Sequence, residues 1–440
     1  MKITFMGAGS TAFAKNVLGD VLVTEALREC EIALYDIDGE RLEQSYLMVN
    51  TLNKNVGEGR ATVRKYLGTE NRKEALCGAT FVVNAIAVGG YKPCTVFDFE
   101  IPKKYGIRQT IADTLGIGGI FRGLRTIAVM KDFARDIEAV CPDALLLNYT
   151  NPMAIVSGYM QRYTGVRTVG LCHSVQVCSD RLLHALGMED VKVGRELIAG
   201  INHMAWLLQI CDTQGRDLYP EIRKRAKEKN ASEKHADMVR YDYIDKLGYY
   251  CTESSEHNAE YNPFYIKSKY PELIERFNIP LDEYITRCER QIKEWDALAP
   301  KLLAGDITHT RTHEYASRIM ESIVTDTPYK IGGNVINAGG LIENLPHDAC
   351  VEVPCLVDGA GIHPTRVGRL PVQCAAMNMT NINAQLLTIE AAATGKKEHI
   401  YHAAMLEPHT AAELSIDDIV KMCDELFEAH ESAGYKILSS

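Results

Sequence analysis

Apolar runs alternate with helix-length segments along the first part of the chain, and no other feature constrains the fold as strongly. Each run is rich in Val, Ile, Leu, Phe and Ala, as expected for strands that are covered on both faces of a parallel sheet. The alternation predicts a doubly wound α/β domain, whose ligands bind outside the carboxyl ends of the strands. The runs are KITFMGAG, CEIALYDID, ATFVVNAIAV, DALLLNYTNP and GVRTVGLCHS.

The pattern changes in the second half of the chain. ELIAGINHMAWLLQICDTQGRDLYPEI predicts a strand, a turn and a second strand, and charged helical segments follow it. A strand-rich stretch runs from Gly332 to Pro371, and helices continue to the end, where Ser415 and Asp418 have the spacing of a capping box. We therefore predict a Rossmann-like domain over residues 1–192 and a mixed α/β domain over residues 193–440.

The charge balance argues against several classes of partner. Lys and Arg number 48 against 58 Asp and Glu, which gives a formal charge of −10 without any basic block. Nucleic acid and acidic membrane surfaces are therefore not expected partners. The first residues lack the features of a signal peptide, and no run approaches the ~18 apolar residues that a membrane helix needs. We expect a cytoplasmic protein that acts on a small molecule.

The thirteen cysteines show no CxxC pair and no regular spacing. This usage favours reduced, small core residues over a zinc site or a disulfide framework. The cysteines predicted to have that role are Cys77, Cys94, Cys211, Cys288, Cys374 and Cys423.

The first strand is followed by GAGSTA, which has the GxGxxA form of a dinucleotide-binding turn. Gly7 would allow the tight turn, Gly9 would let the backbone approach a pyrophosphate, and the helix that starts near Ser10 would supply amide donors. Asp36 ends the next strand, where it would bind the ribose 2′-hydroxyl of NAD and repel the 2′-phosphate of NADP. A turn without any ligand is the alternative.

Polar residues follow three further apolar segments. Asn84 precedes adjacent glycines in NAIAVGGYKP, and Asn148 and Asn151 flank a hydroxyl in NYTNP. Because these segments end at the carboxyl edge of the predicted sheet, we expect Asn84 and Asn148 to contact the cofactor. Asp113 precedes a Gly-rich turn and a helix, where it either caps that helix or binds a polar substrate. Turn capping is also the alternative for Asn148 and Asn151.

A thiol and an imidazole, Cys172 and His173, lie at the end of another predicted strand, and His203 follows in the strand-like segment GINHMAW. Cys172 and His203 could ligate one divalent metal between the two domains, with water or substrate oxygens in the remaining positions. A histidine satisfied within the core is the alternative reading of His203.

Taken in order, these motifs resemble those of glycoside hydrolase family 4, and the resemblance extends to GYYCTESSEHNAEY and GNVIN. It implies a fold like that of lactate and malate dehydrogenases, bound NAD, a divalent metal that is usually Mn²⁺, and a homodimer or homotetramer. Cys-His-Ser and ESSEHNAEY are most similar to the members that cleave α-galactosides such as melibiose. The motifs that carry the resemblance are GAGSTAF, ALYDID, GGYKP, IADTLGIGGIFR, NYTNPM, LCHS and GINHMAW.

The resemblance also implies roles for site residues. Cys172 and His203 would ligate the metal, His173 would bind the sugar or protonate the leaving group, and Asn151 and Asp113 would bind sugar hydroxyls. In the implied reaction, C3 of the sugar is oxidised, the C2 proton is removed and the C1 oxygen departs. Water then adds and C3 is reduced again, so that NAD is regenerated in every cycle.

The base that removes the C2 proton is not fixed by the resemblance. The 6-phospho members of the family use a Tyr, but SSEHNAEY departs from their pattern. Glu256, His257 and Tyr261 are the candidates, and we favour His257. The alternative is that these residues determine substrate specificity or contact another subunit.

Three other functions remain open at this point. Within the family, the substrate would be an α-glucoside or an α-galacturonide. Outside it, an NAD-dependent 2-hydroxy-acid dehydrogenase would share the fold, although such enzymes use a His base and an Arg clamp without a metal-binding Cys. A cofactor-binding protein without turnover is the third.

Overall fold

A single twisted sheet with helices on both sides organises the molecule. The computed structural model describes the backbone of residues 1–303, 305 and 307–438, and their side chains except at residues 11, 12 and 296–303. The strands are β1 (Lys2–Met6), β2 (Glu31–Asp36), β3 (Thr62–Leu67), β4 (Phe81–Asn84), β5 (Leu145–Asn148), β6 (Arg167–Gly170), β7 (Val193–Ile201), β8 (Met204–Asp212), β9 (Tyr250–Cys251), β10 (Tyr329–Ile336), β11 (Cys350–Asp358) and β12 (Gly361–Pro364).

The helices alternate with strands in the first half and dominate the end of the chain. They are α1 (Thr11–Val23), α2 (Gly39–Asn55), α3 (Arg72–Leu76), α4 (Val96–Lys104), α5 (Gly116–Val140), α6 (Met153–Tyr163), α7 (His173–Gln176), α8 (Cys178–Ala185), α9 (Tyr219–Ser232), α10 (Met238–Lys246), α11 (Ser255–Glu260), α12 (Glu272–Arg276), α13 (Glu283–Leu303), α14 (Ala316–Thr325), α15 (Val372–Thr394), α16 (Glu398–Leu406), α17 (Pro408–Glu413) and α18 (Ile416–Ser432).

The first six strands are parallel and lie in the order β3-β2-β1-β4-β5-β6. This is the order of a doubly wound dinucleotide-binding sheet, so the predicted fold class is confirmed. β4 and β5 are buried at every position, as their unbroken apolar sequences predict. All six carboxyl ends meet at one edge of the sheet, where the polar residues identified from the sequence also lie.

The second half of the chain extends the same sheet rather than forming a separate one. β10 pairs antiparallel with β6 through Asn334 and Gly170, and β11, β7, β8 and β9 follow in that order. β7 and β8 lie within the longer segment predicted as strand, turn and strand, but the turn between them comes earlier than expected. β10–β12 correspond to the predicted strand-rich stretch. The division near residue 192 stays a prediction.

Three sequence expectations need correction. Cys77 is exposed and Cys288 only partly buried, so neither is a core residue, whereas the other four cysteines of that set are buried. β3 was not expected, because its TVRKYL sequence is an exposed, polar strand at the edge of the sheet. His203 lies in the two-residue turn between β7 and β8 rather than on a strand, since Ile201 pairs directly with Met204.

The capping box at the start of α18 forms as predicted. The Ser415 hydroxyl accepts a hydrogen bond from the backbone N–H of Asp418. No helix in the described part of the chain combines the length and the apolar character that a membrane span needs.

Candidate active site

The turn between β1 and α1 leaves no room for any residue larger than glycine at its first position. Gly7 has a φ of +85°, and a Cβ there would lie 2.7 Å from the carbonyl oxygen of Ala85. The Gly7 and Ala8 amides both donate to the carbonyl of Tyr35 at 3.0 Å. The turn is therefore pressed against the carboxyl ends of β2 and β4, with the α1 N-terminus facing the edge of the sheet.

Asp36 is tied to this turn. Its Oδ2 accepts a hydrogen bond from the Gly9 amide at 2.6 Å, and its Oδ1 accepts one from the Asp38 amide at 3.0 Å. Ser10 is exposed at the N-cap of α1 and makes no capping hydrogen bond with a described residue. A carboxylate held beside the N-terminus of a helix is the arrangement that binds a ribose and a pyrophosphate.

Asn84 and Asn148 are fully buried and face each other on paired strands. The Asn84 side-chain amide donates to Asn148 Oδ1 at 2.8 Å, and the same oxygen accepts from the backbone N–H of Thr150 at 3.1 Å. Asn148 thus forms the turn that was the alternative for it. Both asparagines shape the strand ends, so a contact of either with the cofactor remains a prediction.

Cys172 lies two residues beyond the end of β6 and is 7% exposed. Its backbone N–H donates a hydrogen bond to the Tyr315 hydroxyl at 2.5 Å, and its Sγ lies 3.0 Å from Ser174 Oγ. Burial, and then the nearby carboxyls of Glu352 and Glu253, raise the pKa of the thiol well above its usual value. A bound cation would be needed to convert this thiol to the thiolate that ligates metals.

His203 is held in the β7–β8 turn in a left-handed conformation, with φ of +62°. Its Nδ1 lies 3.2 Å from the Tyr261 hydroxyl, and its Nε2 lies 3.4 Å from Glu253 Oε2. Burial lowers the pKa of His203, against the opposing effect of Glu253, so the neutral imidazole that ligates metals is favoured.

Glu253 is a site residue that the sequence did not reveal. It lies in the loop between β9 and α11, with φ of +66° and a side chain 25% exposed. The Cys172, His203 and Glu253 ligand atoms all lie within 4.8 Å of one another. The SSEHNAEY segment that follows Glu253 drew attention to Glu256 instead, because nothing in the sequence shows which carboxylate turns toward the sheet.

A second group of polar side chains shares His203. Its Asp113, His203 and His257 ligand atoms also lie within 4.8 Å of one another. His257 Nε2 lies 3.6 Å from Asp113 Oδ1, and His257 Nδ1 lies 2.7 Å from Ser254 Oγ. The structure therefore brings together four of the predicted site residues, since Cys172 and His203 lie beside Asp113 and His257.

Asp113 does not cap α5, which was the alternative for it. Its Oδ1 accepts a hydrogen bond from the Thr114 hydroxyl at 2.8 Å, and its Oδ2 accepts one from the Asn151 side-chain Nδ2 at 3.3 Å. Asn151 Oδ1 is buried without a hydrogen-bond partner among the described residues. This oxygen is an unused acceptor beside the Asp113 carboxylate.

The charges of Asp113 and His257 stabilise each other. Burial alone would raise the pKa of Asp113, but the hydrogen bond and charge of His257, with Arg122 and His203, hold it well below its usual value. Burial would lower the pKa of His257, but Glu253 and Asp113 raise it to about 9. His257 can therefore hold a proton near neutral pH and release it as the pH rises.

His173 faces the same edge of the sheet but is half-exposed. Its ring stacks on Tyr149 with centroids 5.5 Å apart and contacts Phe13 of α1 edge-on at 6.2 Å. Its Nε2 contacts the Glu314 carboxylate. His173 thus lies between the α1 turn and Cys172, with a carboxylate that fixes the orientation of its ring.

The other two candidates for the base are less suited to that role. Glu256 Oε1 accepts a hydrogen bond from Arg287 at 3.0 Å, so this carboxylate is committed to α13. Tyr261 is fully buried, burial raises the pKa of its phenol well above the usual value, and its hydroxyl contacts His203. Tyr261 is placed to orient His203 rather than to take a proton from a ligand.

The residues present fit both cofactors that the sequence implied. The glycine turn, the exposed N-terminus of α1 and Asp36 fit a dinucleotide. Cys172, His203 and Glu253 offer sulfur, nitrogen and oxygen donors at a spacing that suits one divalent cation.

Solved structures share this fold over nearly the whole chain. One is a 6-phospho-alpha-glucosidase from gut microorganisms in complex with NAD and Mn²⁺, with a TM-score of 0.79, 21% identity and 98% of each chain covered. Another is the apo malate dehydrogenase of Picrophilus torridus, with a TM-score of 0.54, 14% identity, and 90% of this chain and 99% of that one covered. At these identities the likeness concerns the fold alone, and it confirms the predicted dehydrogenase-like architecture.

Sequence comparison is more specific. The chain is 59% identical over 430 residues to an alpha-galactosidase of Bacillus subtilis (strain 168), with 98% of each covered. It is 34% identical to an alpha-galactosidase of Rhizobium meliloti (strain 1021), with 97% of this chain and 88% of that one covered. The profile of the family 4 glycosyl hydrolases matches residues 2–188, and that of the family's C-terminal domain matches residues 198–410. The protein therefore belongs to family 4 of the glycosyl hydrolases.

Proposed function

We propose that this glycosyl hydrolase cleaves α-galactosides such as melibiose and uses NAD and a divalent cation, preferably Mn²⁺, as cofactors. The observation that carries the proposal is the convergence of Cys172, His203 and Glu253 at the carboxyl edge of a sheet whose first turn fits a dinucleotide. The two alpha-galactosidase relatives support the sugar, and the 6-phospho-alpha-glucosidase solved with NAD and Mn²⁺ supports the cofactors.

The proposed ligand contacts follow the geometry of the edge. Gly7, Gly9, Ser10 and Asp36 line the proposed NAD site, with Asn84 and Asn148 as the predicted contacts at its inner end. Cys172 and His203 are the proposed metal ligands. When bound, NAD supplies a hydride acceptor for C3 of the sugar, and the cation supplies an electrophile for the sugar oxygens.

Asp113 and Asn151 are the proposed sugar-binding pair. The Asp113 carboxylate can accept hydrogen bonds from sugar hydroxyls, and the buried Asn151 Oδ1 lacks a partner among the described residues. A buried acceptor without a hydrogen bond costs free energy until a donor reaches it, so a hydroxyl there gains more than it would in water. The Asp113 carboxylate, which already accepts hydrogen bonds, and the unpartnered Asn151 Oδ1 lie side by side, which suits adjacent hydroxyls of a galactose ring.

His257 is the proposed base for the C2 proton. Its Nδ1 is held by Ser254, which leaves Nε2 to take the proton in the neutral form of the ring. Asp113 and Glu253 on either side stabilise the charge that His257 then acquires. Asp113 is therefore both a sugar contact and a partner of the base.

His173 is the proposed acid that protonates the departing C1 oxygen and contacts the sugar. It is half-exposed and can reach a ligand from the solvent side, while Glu314 orients its ring. Cys172 and His173 are adjacent because they would act in the same site. The Cys172 thiolate would ligate the metal, and the His173 imidazole would transfer a proton.

The test is hydrolysis of p-nitrophenyl α-galactoside with and without NAD, Mn²⁺ and a thiol reductant, with the α-glucoside and α-galacturonide measured in parallel. We expect cleavage to require all three additions and to favour the galactoside, because Cys172 must be reduced to serve as a ligand. Cleavage without NAD would contradict the proposal. Preference for one of the other glycosides would change the sugar but keep the chemistry, and net NADH formation from a 2-hydroxy acid would favour the dehydrogenase.

We also propose a homodimer or homotetramer in the cytoplasm, with residues 1–192 as the NAD-binding unit and residues 193–440 contributing substrate, metal and subunit contacts. All thirteen cysteines are free thiols, which suits a reducing compartment. Light scattering coupled to size exclusion tests the assembly, and cell fractionation tests the location.

A further inference from the structure

Two sets of donor side chains meet at His203, and they differ in how far their polar atoms are already satisfied. The first set consists of Asp113, His203 and His257. Asp113 accepts hydrogen bonds from Thr114 and Asn151, and His257 Nδ1 is held by Ser254. Those atoms have partners without any ion. The first set is therefore complete as a hydrogen-bonded group.

The second set, Cys172, His203 and Glu253, is not fully hydrogen-bonded within the described part of the chain. Glu253 accepts no hydrogen bond from a described residue, and its nearest polar contacts are His203 Nε2 at 3.4 Å and His257 Nδ1 at 3.7 Å. The charge of His257 partly compensates this carboxylate, but both contacts are longer than a hydrogen bond or a metal–oxygen bond, so a three-quarters buried Glu253 still lacks a direct partner among the described residues. A Glu253 carboxylate oxygen lies within 4.8 Å of the ligand atoms of both Cys172 and His203, which points to a shared cation.

The chemistry of the donors leads to the same place. A thiolate and an imidazole alone offer a divalent cation one negative charge and no oxygen, whereas Mn²⁺ and similar cations favour carboxylate ligands. Adding Glu253 supplies that carboxylate and brings the ligand charge to two negative charges. The set then neutralises the cation and still leaves positions for substrate oxygens.

The backbone holds both turn residues in place. Glu253 and His203 each have a left-handed backbone conformation, at φ of +66° and +62°. The side-chain amide of the buried Asn258 donates to the carbonyls of His203, Thr252 and Ser254, at 3.4, 3.1 and 3.0 Å. One residue therefore braces the two loops that present His203 and Glu253 to each other.

We propose that Glu253 is a third protein ligand of the divalent cation, completing a Cys172–His203–Glu253 site. This inference rests on the proposed metal site at Cys172 and His203. It assigns Glu253 to the metal rather than to proton transfer at the sugar.

The test is direct Mn²⁺ binding to the metal-free enzyme with NAD present. Binding is measured by calorimetry and by the electron paramagnetic resonance signal of the Mn²⁺ that remains free. For Glu253→Gln we expect Mn²⁺ affinity to fall about tenfold or more, because a neutral amide replaces a charged ligand. Glu256→Gln, three residues away and paired with Arg287, should bind Mn²⁺ as the unmodified enzyme does. Glu253→Gly is a second variant that relieves the left-handed strain, so it should fold at least as stably and still lose affinity.

A spectroscopic readout separates ligation from an effect on activity. With Co²⁺ in place of Mn²⁺, the d–d bands should shift in Glu253→Gln while the thiolate-to-cobalt absorption of Cys172 persists. If Cys172→Ser weakens metal binding but both Glu253 variants bind Mn²⁺ normally, the proposal for Glu253 is wrong and the two-residue site stands. If Cys172→Ser also binds normally, the proposed metal site itself is wrong. Normal Mn²⁺ affinity in Glu253→Gln with loss of solvent deuterium exchange at C2 would instead make Glu253 the base.

Discussion

Cys172 differs from the other cysteines of the chain in what surrounds it. It is buried at a strand end beside His203 and Glu253, whereas Cys374, for example, lies in the apolar core. We predict that Cys172→Ser loses metal-dependent hydrolysis by about two orders of magnitude or more, since a hydroxyl is a poor substitute for a thiolate ligand. Binding of NAD should be largely intact, because the glycine turn is untouched.

The measurement is kcat/KM over a range of Mn²⁺ concentrations, together with NAD binding by calorimetry. Cys77→Ser is the matched control, because Cys77 is an exposed thiol outside the site. Turnover unchanged in Cys172→Ser would remove this cysteine from the metal site.

Glu352 is a fully buried carboxyl on β11 whose burial raises its pKa from 4.5 to about 8. Between those values the folded protein keeps a proton that the unfolded chain releases, so this group makes the protein less stable as the pH rises. Glu352→Gln keeps the oxygen that accepts from Asn334 and removes the titration. We predict that the variant gains stability relative to the unmodified protein as the pH rises through this range, by about 1.4 kcal/mol per pH unit at most.

Urea unfolding across that pH range measures the difference in unfolding free energy between the two proteins. Glu343→Gln, which removes an exposed carboxylate, should give a difference that hardly varies with pH. A pH-independent difference for Glu352→Gln would mean that Glu352 is ionised in the folded protein.

Individual site residues were predictable to the extent that their chemistry is unusual for their position. Cys172 was identified because a thiol and an imidazole followed an apolar run, His203 because an imidazole lay within a strand-like segment, and Asp113 because it preceded a glycine turn. Glu253 was not, because its role depends on a left-handed backbone that turns it toward the sheet. Local sequence carries little information about that conformation in a residue other than Gly, Asn or Asp.

At the scale of elements, the β1–α1 turn is a connection with little steric freedom. Gly7→Ala would place a Cβ 2.7 Å from the Ala85 carbonyl oxygen at a φ of +85°. We predict a loss of stability of roughly 2–4 kcal/mol, which adds a steric clash to the usual cost of a left-handed alanine. NAD affinity should fall about tenfold or more, since the turn must shift away from its neighbours.

Gly59→Ala is the control for the conformational part of this cost. Gly59 has a φ of +70°, but a Cβ there meets no atom within 4 Å. It should therefore lose only about 1 kcal/mol of stability and leave NAD binding unchanged. Equal losses in the two variants, measured by urea unfolding and NAD calorimetry, would contradict the steric argument for Gly7.

The same scale shows why most elements were predictable and some were not. Strands buried on both faces are unbroken apolar runs, so β1, β2, β4, β5 and β6 were found from the sequence. β3 has an exposed, alternating edge sequence that resembles a polar loop. The turn at His203 was taken for part of a strand, because it contains none of the glycines that usually mark a two-residue hairpin.

At the scale of the whole molecule, the two predicted domains share one sheet and one core. β6 of the first half pairs with β10 of the second, and a single apolar cluster contains Ile3 and Val169 together with Trp206, Val351 and Ile382. The sequence could indicate where the pattern changes, but not that the sheet continues across that point, because strand pairing between distant segments leaves no local signal.

We predict from this continuity that the two halves unfold in one cooperative transition. Neither half can expose its side of the shared core without leaving the other with an uncovered apolar face. Differential scanning calorimetry at a fixed protein concentration should show one peak, and saturating NAD should move the whole peak to higher temperature, although the proposed NAD contacts all lie before residue 192. Two peaks, of which NAD raises only the first, would show instead that residues 1–192 and 193–440 unfold as independent domains.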